Sequence, residues 1–138
     1  MRLLLDTHVL LWAAGEPEKL SKTARSLLVD ESNVLFFSSA SIWEIVIKRG
    51  LGRDDFKVDP LRLRKMLVTN GYTEISVTSD HALAVDGLPL LHKDPFDRIL
   101  LAQARSEGFS LVTSDEQLMK YGEGIISASA DTQSGCGT

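Results

Sequence analysis

The chain has 138 residues, enough for one domain around a single core. Hydrophobic residues make up 43% and charged residues 25%, the balance of an ordinary globular protein, and no apolar run reaches the roughly 18 residues that cross a membrane. The net charge of −4 has the wrong sign for holding nucleic acid by bulk electrostatics, and the single cysteine, Cys136, excludes an internal disulfide and a cysteine-based zinc site.

The first stretch, MRLLLDTHVLLWAAGE, superficially suggests a secretion signal. Asp6 and His8 interrupt its apolar run, so it reads instead as a buried strand, Arg2–Leu5, followed by a helix that stops at Gly15. A cytoplasmic protein is the resulting expectation. Ser21 is placed to cap a helix running to Asp30, with Ala24, Leu27 and Leu28 on one face. Residues 34–37 read as a second buried strand. Ser38 to Gly50 then reads as an apolar helix containing Ile42, Trp43, Ile45, Val46 and Ile47.

A polar loop follows at residues 51–57. Asp59 and Pro60 are spaced as an N-cap and first helical position for a helix ending near Asn70. Residues 74–77 read as a short strand and 79–85 as a short helix. The stretch HKDPFDRILLAQA, residues 92–104, opens a further helix that Gly108 closes. Residues 109–113 form the next strand and 115–120 a last short helix. Ile125 and Ile126 fit an edge strand, and residues 127–138, rich in Ser, Ala, Gly and Thr, are expected to form a disordered tail after a 1–126 domain. Apolar strands alternating with helices predict parallel βαβ units, with a sheet covered on both faces.

Five acids stand at places where that architecture would gather them: Asp6 after the first strand, Glu44 in an apolar helix, Asp94 and Asp97 at a helix start, and Asp115 after a strand. Each also has a structural reading. Glu44 follows Ser41 at capping-box spacing and precedes Lys48 by one helical turn. Asp94 before Pro95 reads first as a cap. Asp97 and Asp115 suit the first turns of helices, and Ser114 and Gln117 have capping-box spacing as well. Asp6 is hardest to explain structurally, because no basic neighbour in sequence supplies a partner. Carboxylates brought together raise one another's pKa, and a hard divalent cation relieves the repulsion. We therefore expect four of the five to hold such an ion. Without those four charges the rest of the chain is neutral.

Four segments, LLLDTHVLLWA, SSASIWEIVIKRGLG, LPLLHKDPFDRILLAQA and LVTSDEQLMKY, in this order and spacing, resemble the PIN-domain ribonucleases, and within them the VapC toxins of bacterial toxin–antitoxin pairs. The resemblance spans residues 1 to about 126. It implies an α/β domain of three layers with a short central parallel β-sheet flanked by helices. It also implies a Mg²⁺- or Mn²⁺-dependent endoribonuclease that hydrolyses RNA phosphodiesters as the toxin of such a pair. The family's acidic quartet falls on Asp6, Glu44, Asp97 and Asp115, as metal ligands and catalytic residues. Thr7, Thr113 and Ser114 match its small hydroxyl positions, and Asp94, His92 and Arg98 line the same helix mouth, Arg98 as a phosphate contact or a solvated side chain. His92 reads as a loop residue rather than a base. Lys48, Arg49 and Arg53 form the basic edge for RNA, unless they are simply solvated. The resemblance further implies a homodimer and a cognate antitoxin, for which helices 21–30 and 38–50 offer apolar surface, and no membrane.

Three alternatives compete with this reading. A haloacid-dehalogenase-type phosphotransferase would need D-x-D, where this chain has Asp6 and His8. A receiver-like regulatory domain would need an Asp ending its central strand, where the second strand here ends in Ser38-Ser39. A PIN-fold protein acting mainly as a non-catalytic binding or regulatory module is disfavoured because all four acids are present.

Overall fold

The computed structural model describes residues 1–129. Five parallel strands form one sheet in the order β3-β2-β1-β4-β5. The strands are β1 (Arg2–Leu5), β2 (Val34–Ser38), β3 (Thr73–Ile75), β4 (Ser110–Thr113) and β5 (Ile125–Ser127). The helices are α1 (Thr7–Gly15), α2 (Lys22–Val29), α3 (Ser39–Gly50), α4 (Pro60–Thr69), α5 (Ser79–Val85), α6 (Pro95–Glu107) and α7 (Glu116–Met119). Two single 3₁₀ turns, Pro17–Lys19 and Asp54–Phe56, fall where only loops are expected from sequence.

The alternation of side chains along β1 explains the layers. Leu3 and Leu5 face a cluster with Val9 and Leu10 of α1, Ala24 of α2, Ile45 of α3 and Leu63 and Leu67 of α4. Leu4 faces the other side and packs with Leu111 of β4 and Leu100, Leu101 and Ala104 of α6. All three β1 leucines are fully buried, each contributing about 1.5–3 kcal/mol of transfer free energy. The expected sheet covered on both faces is what forms.

Local chemistry sets the helix ends. Asp59 and Asp94 accept backbone N–H bonds as N-caps, each with proline next to it. Gly108 closes α6 with φ +74°, a left-handed conformation that favours glycine. The cap of α3 differs from expectation. Ser38, not Ser41, accepts the first-turn N–H, so the helix starts too early for a Ser41–Glu44 capping box. Likewise Asp115, rather than Ser114, caps α7.

β1 lies at the sheet centre. The chain runs outward from it through β2 and β3 on one side and through β4 and β5 on the other. The β1/β4 junction is thus a topological switch point, where α/β sheets open a crevice beyond the strand C-termini. The chain end departs from the expected boundary. Ser127 belongs to β5, Ala128 is fully buried, and Ser129 bridges to Leu20. The rest of the expected tail, 130–138, lies outside the described residues. Among the described residues no helix is long and apolar enough to cross a membrane.

Candidate active site

The crevice beyond β1 and β4 is a cavity of about 400 Å³, lined by Asp6, Thr7, His8, Glu44, Lys48, Arg53, Asp94, Asp97, Ser114 and Asp115. Five acids from four segments of the chain therefore share one opening.

Asp6 directly follows β1, and its N–H extends the parallel ladder to Val112 O at 2.9 Å. Its carboxylate is held on both oxygens. Oδ1 accepts from Val9 N at 2.9 Å as the cap of α1, while Oδ2 accepts from the Thr113 hydroxyl and from Ser114 N at 3.2 Å. Burial pushes its pKa up, and these hydrogen bonds oppose that rise.

Glu44 is 3% exposed and comes from the first half of α3. Its Oε1 accepts from the Thr7 hydroxyl at 2.6 Å, and Ser41 Oγ lies 2.9 Å from the same hydroxyl. Its Oε2 pairs with Lys48 one turn on. The helix salt bridge and the buried carboxylate, alternative explanations of Glu44 from sequence, are thus both present.

Asp94 caps α6, accepting from Phe96 N and Asp97 N at 2.8 and 3.2 Å. Asp97, one turn into the cavity, has its pKa pushed up to about 9. Burial is the main cause, followed by the negative charges of Asp94, Asp6 and Asp115. Asp115 lies below the usual carboxylate range. Burial acts upward on it, but is outweighed by hydrogen bonds from Gln117 N and from the Asp97 carboxyl and by His92.

His92 joins the last two acids. Its Nε2 stands 2.8 Å from Asp97 Oδ2 and 3.0 Å from Asp115 Oδ2. The chemistry of the set is oxygen-rich and anionic at its centre, with Lys48 and Arg53 on one flank. Oxygen donors in this density suit a hard divalent cation. Asp6, Glu44, Asp97 and Asp115 would hold it.

The PIN domain family model matches residues 3–124. The chain belongs to the PIN-domain family. Ribonuclease VapC22 of Mycobacterium tuberculosis is 29% identical to this PIN domain over 120 residues, covering 86% of this chain and 91% of its own. Among solved structures, VapBC2 of Rickettsia felis, bound to a DNA fragment from its promoter, superposes with a TM-score of 0.66 at 16% identity, over 92% of this chain and 97% of its own. VapC20 of M. tuberculosis, a sarcin–ricin-loop-cleaving toxin, superposes with a TM-score of 0.58 at 18% identity, over 87% of this chain and 95% of its own. These likenesses establish the PIN fold.

In this PIN domain all four quartet acids and Asp94 meet in the cavity, with Thr7 and Ser114 at its wall and Thr113 holding Asp6. Arg98 lies elsewhere. Its guanidinium donates to the carbonyls of Val85, Leu88, Pro89 and His92 and to Tyr121 Oη at 3.1–3.5 Å, so it staples the α5–α6 loop rather than lying free for phosphate. Of the basic edge, Lys48 and Arg53 reach the cavity. His92, read from sequence as a loop residue at the helix mouth rather than a base, stands against both Asp97 and Asp115. The available signal was its position two residues before a cap aspartate and five before Asp97, close enough to fold back onto the helix mouth.

Proposed function

We propose that this chain is a metal-dependent endoribonuclease acting in the cytoplasm as the toxin of a toxin–antitoxin pair, with Mg²⁺ or Mn²⁺ as cofactor. One observation carries the reading: the acids of β1, α3, α6 and α7 converge on a single cavity at the switch point of the sheet. The ribonuclease name of its curated relative supports RNA cleavage as the reaction. When bound, a divalent cation would polarise the phosphodiester and lower the pKa of an attacking water.

The chain's own groups do the rest. Thr113, Ser114 N and Val9 N fix the Asp6 carboxylate in one orientation, so the lone pair left on Oδ1 is aimed before any ligand arrives. Thr7 and Lys48 do the same for Glu44. Lys48 and Arg53 supply positive charge on one flank, suited to a phosphate oxygen of an approaching RNA. The carboxylates act as ligands, not nucleophiles.

The partners belong to the same reading. α3 exposes Trp43 (62%), Val46 (50%) and Ile47 (37%), an apolar strip suited to a second copy or to a cognate antitoxin.

The test is RNA cleavage by antitoxin-free protein with Mg²⁺ or Mn²⁺ against EDTA. Cleavage should require the ion and fall roughly 100-fold or more in Asp6→Asn and Asp97→Asn. Cleavage that survives EDTA and both substitutions would overturn the assignment.

A further inference from the structure

His92 is not needed to explain an acidic nuclease site, yet the fold holds it firmly against one. The Tyr121 hydroxyl accepts from its N–H at 3.1 Å, and Arg98 Nη1 donates to its carbonyl at 3.2 Å. Both residues also grip Pro89, so the loop that ends at His92 is tied down at its backbone. The ring is about one-sixth exposed, and its Nε2 faces two carboxylate oxygens rather than solvent.

The spacing of these atoms is informative. Adjacent ligands on an octahedral ion with bonds of about 2.0–2.1 Å stand about 2.8–3.0 Å apart. His92 Nε2 stands 2.8 Å from Asp97 Oδ2 and 3.0 Å from Asp115 Oδ2, and each of the three residues offers a ligand atom within 4.8 Å of those of the other two. A cation held by these residues would take one nitrogen and two oxygens as ligands. Magnesium seldom takes nitrogen, whereas imidazole suits first-row transition dications.

Resting on the nuclease reading of this cavity, we propose that His92 is a metal ligand, forming with Asp97 and Asp115 a mixed nitrogen–oxygen face that selects a transition dication such as Mn²⁺ over Mg²⁺. In the liganded state Nε2 gives its lone pair to the ion, and the ring carries its proton on Nδ1. Arg98 and Tyr121 are positioning residues for that ligand.

Pulsed EPR of the full chain loaded with Mn²⁺ tests this directly, without RNA. Wild-type protein should show the nitrogen coupling of a coordinated imidazole, and labelling only histidine with ¹⁵N should convert that coupling to the ¹⁵N pattern. His8→Gln should keep the signal, although His8 lines the cavity. His92→Gln should lose it, and its Mn²⁺ dissociation constant should rise about 10–100-fold, with a smaller change for Mg²⁺ measured by competition. The labelled wild type decides between imidazole and carboxylate ligation even if His92→Gln does not fold. Bound Mn²⁺ without imidazole coupling, or coupling that persists in His92→Gln, would overturn the nitrogen ligand and leave the carboxylate nuclease standing. A chain that binds neither Mn²⁺ nor Mg²⁺ would overturn both.

Discussion

Asp97 concentrates the electrostatic cost of the site in one side chain. Its ordinary pKa near 3.8 is pushed up to about 9, by burial first and then by Asp94, Asp6 and Asp115. Between those two values the folded chain keeps a proton that the unfolded chain has released. The Asp97 contribution to the stability of the cation-free protein is therefore complete below about pH 4 and is lost as pH rises towards about 9. Asp6 shifts in the same direction and adds to the slope. Asp115 shifts the other way, so its contribution is lost only as pH falls below the ordinary carboxylate value. Urea midpoints measured in EDTA from pH 5 to pH 9 should fall steadily for wild type and much less for Asp97→Asn, which should be the more stable protein at pH 8. A flat or rising wild-type profile would show that Asp97 is not buried among like charges. Asp6 and Asp115 were legible in the sequence because each follows a strand of the parallel sheet, whereas Glu44 and Asp97, inside α3 and α6, were singled out by the resemblance to the PIN-domain ribonucleases. The role of His92 was not legible, because nothing local ties a loop histidine to Asp115, which lies 23 residues away.

Helix α6 shows how an element, rather than a residue, presents the site. Asp94 and Pro95 start it, Gly108 ends it, and its apolar side is buried against Leu4 and Leu111, all of which its spacing announces. What the spacing hides is the work of Arg98. It follows Asp97 directly, yet it turns away from the cavity and ties the loop before α6 to Tyr121. Side chains that bond to carbonyls far along the chain leave no periodic trace, whereas the start of α3 at Ser38 was legible even though Ser41 offered a second cap on paper. The staple is testable through Tyr121→Phe. The hydroxyl donates to Pro89 O at 2.7 Å and is approached by Leu91 N at 3.2 Å and His92 N at 3.1 Å. Its loss should cost about 1 kcal/mol locally, so amide exchange at Leu91 and His92 should quicken about five- to tenfold while the β1 and β4 amides stay protected. Unchanged exchange at those two amides would mean that the loop is held by something else.

At the scale of the whole molecule, the sheet brings Asp6 and Asp115 to one cavity because β1 and β4 are parallel neighbours, although the chain between them holds two further strands and most of the helices. Folding itself therefore creates the repulsion that the cavity contains. A dication bound only by the folded state should repay that repulsion as global stability. At a hundredfold excess over its dissociation constant the gain is about 2.7 kcal/mol, which for a domain of this size raises the melting temperature on the order of 10 °C. The rise should be present with Mn²⁺, absent with EDTA or with a monovalent salt of equal ionic strength, and largely lost in Asp6→Asn. Asp6→Asn is the decisive variant because it keeps the cap on α1: an amide oxygen still accepts from Val9 N, so the fold loses the charge and not the helix start. An equal rise in wild type and Asp6→Asn would place the stabilising ion outside the cavity, and the convergence of acids at the β1/β4 switch point would then be an electrostatic burden without the ligand that justifies it.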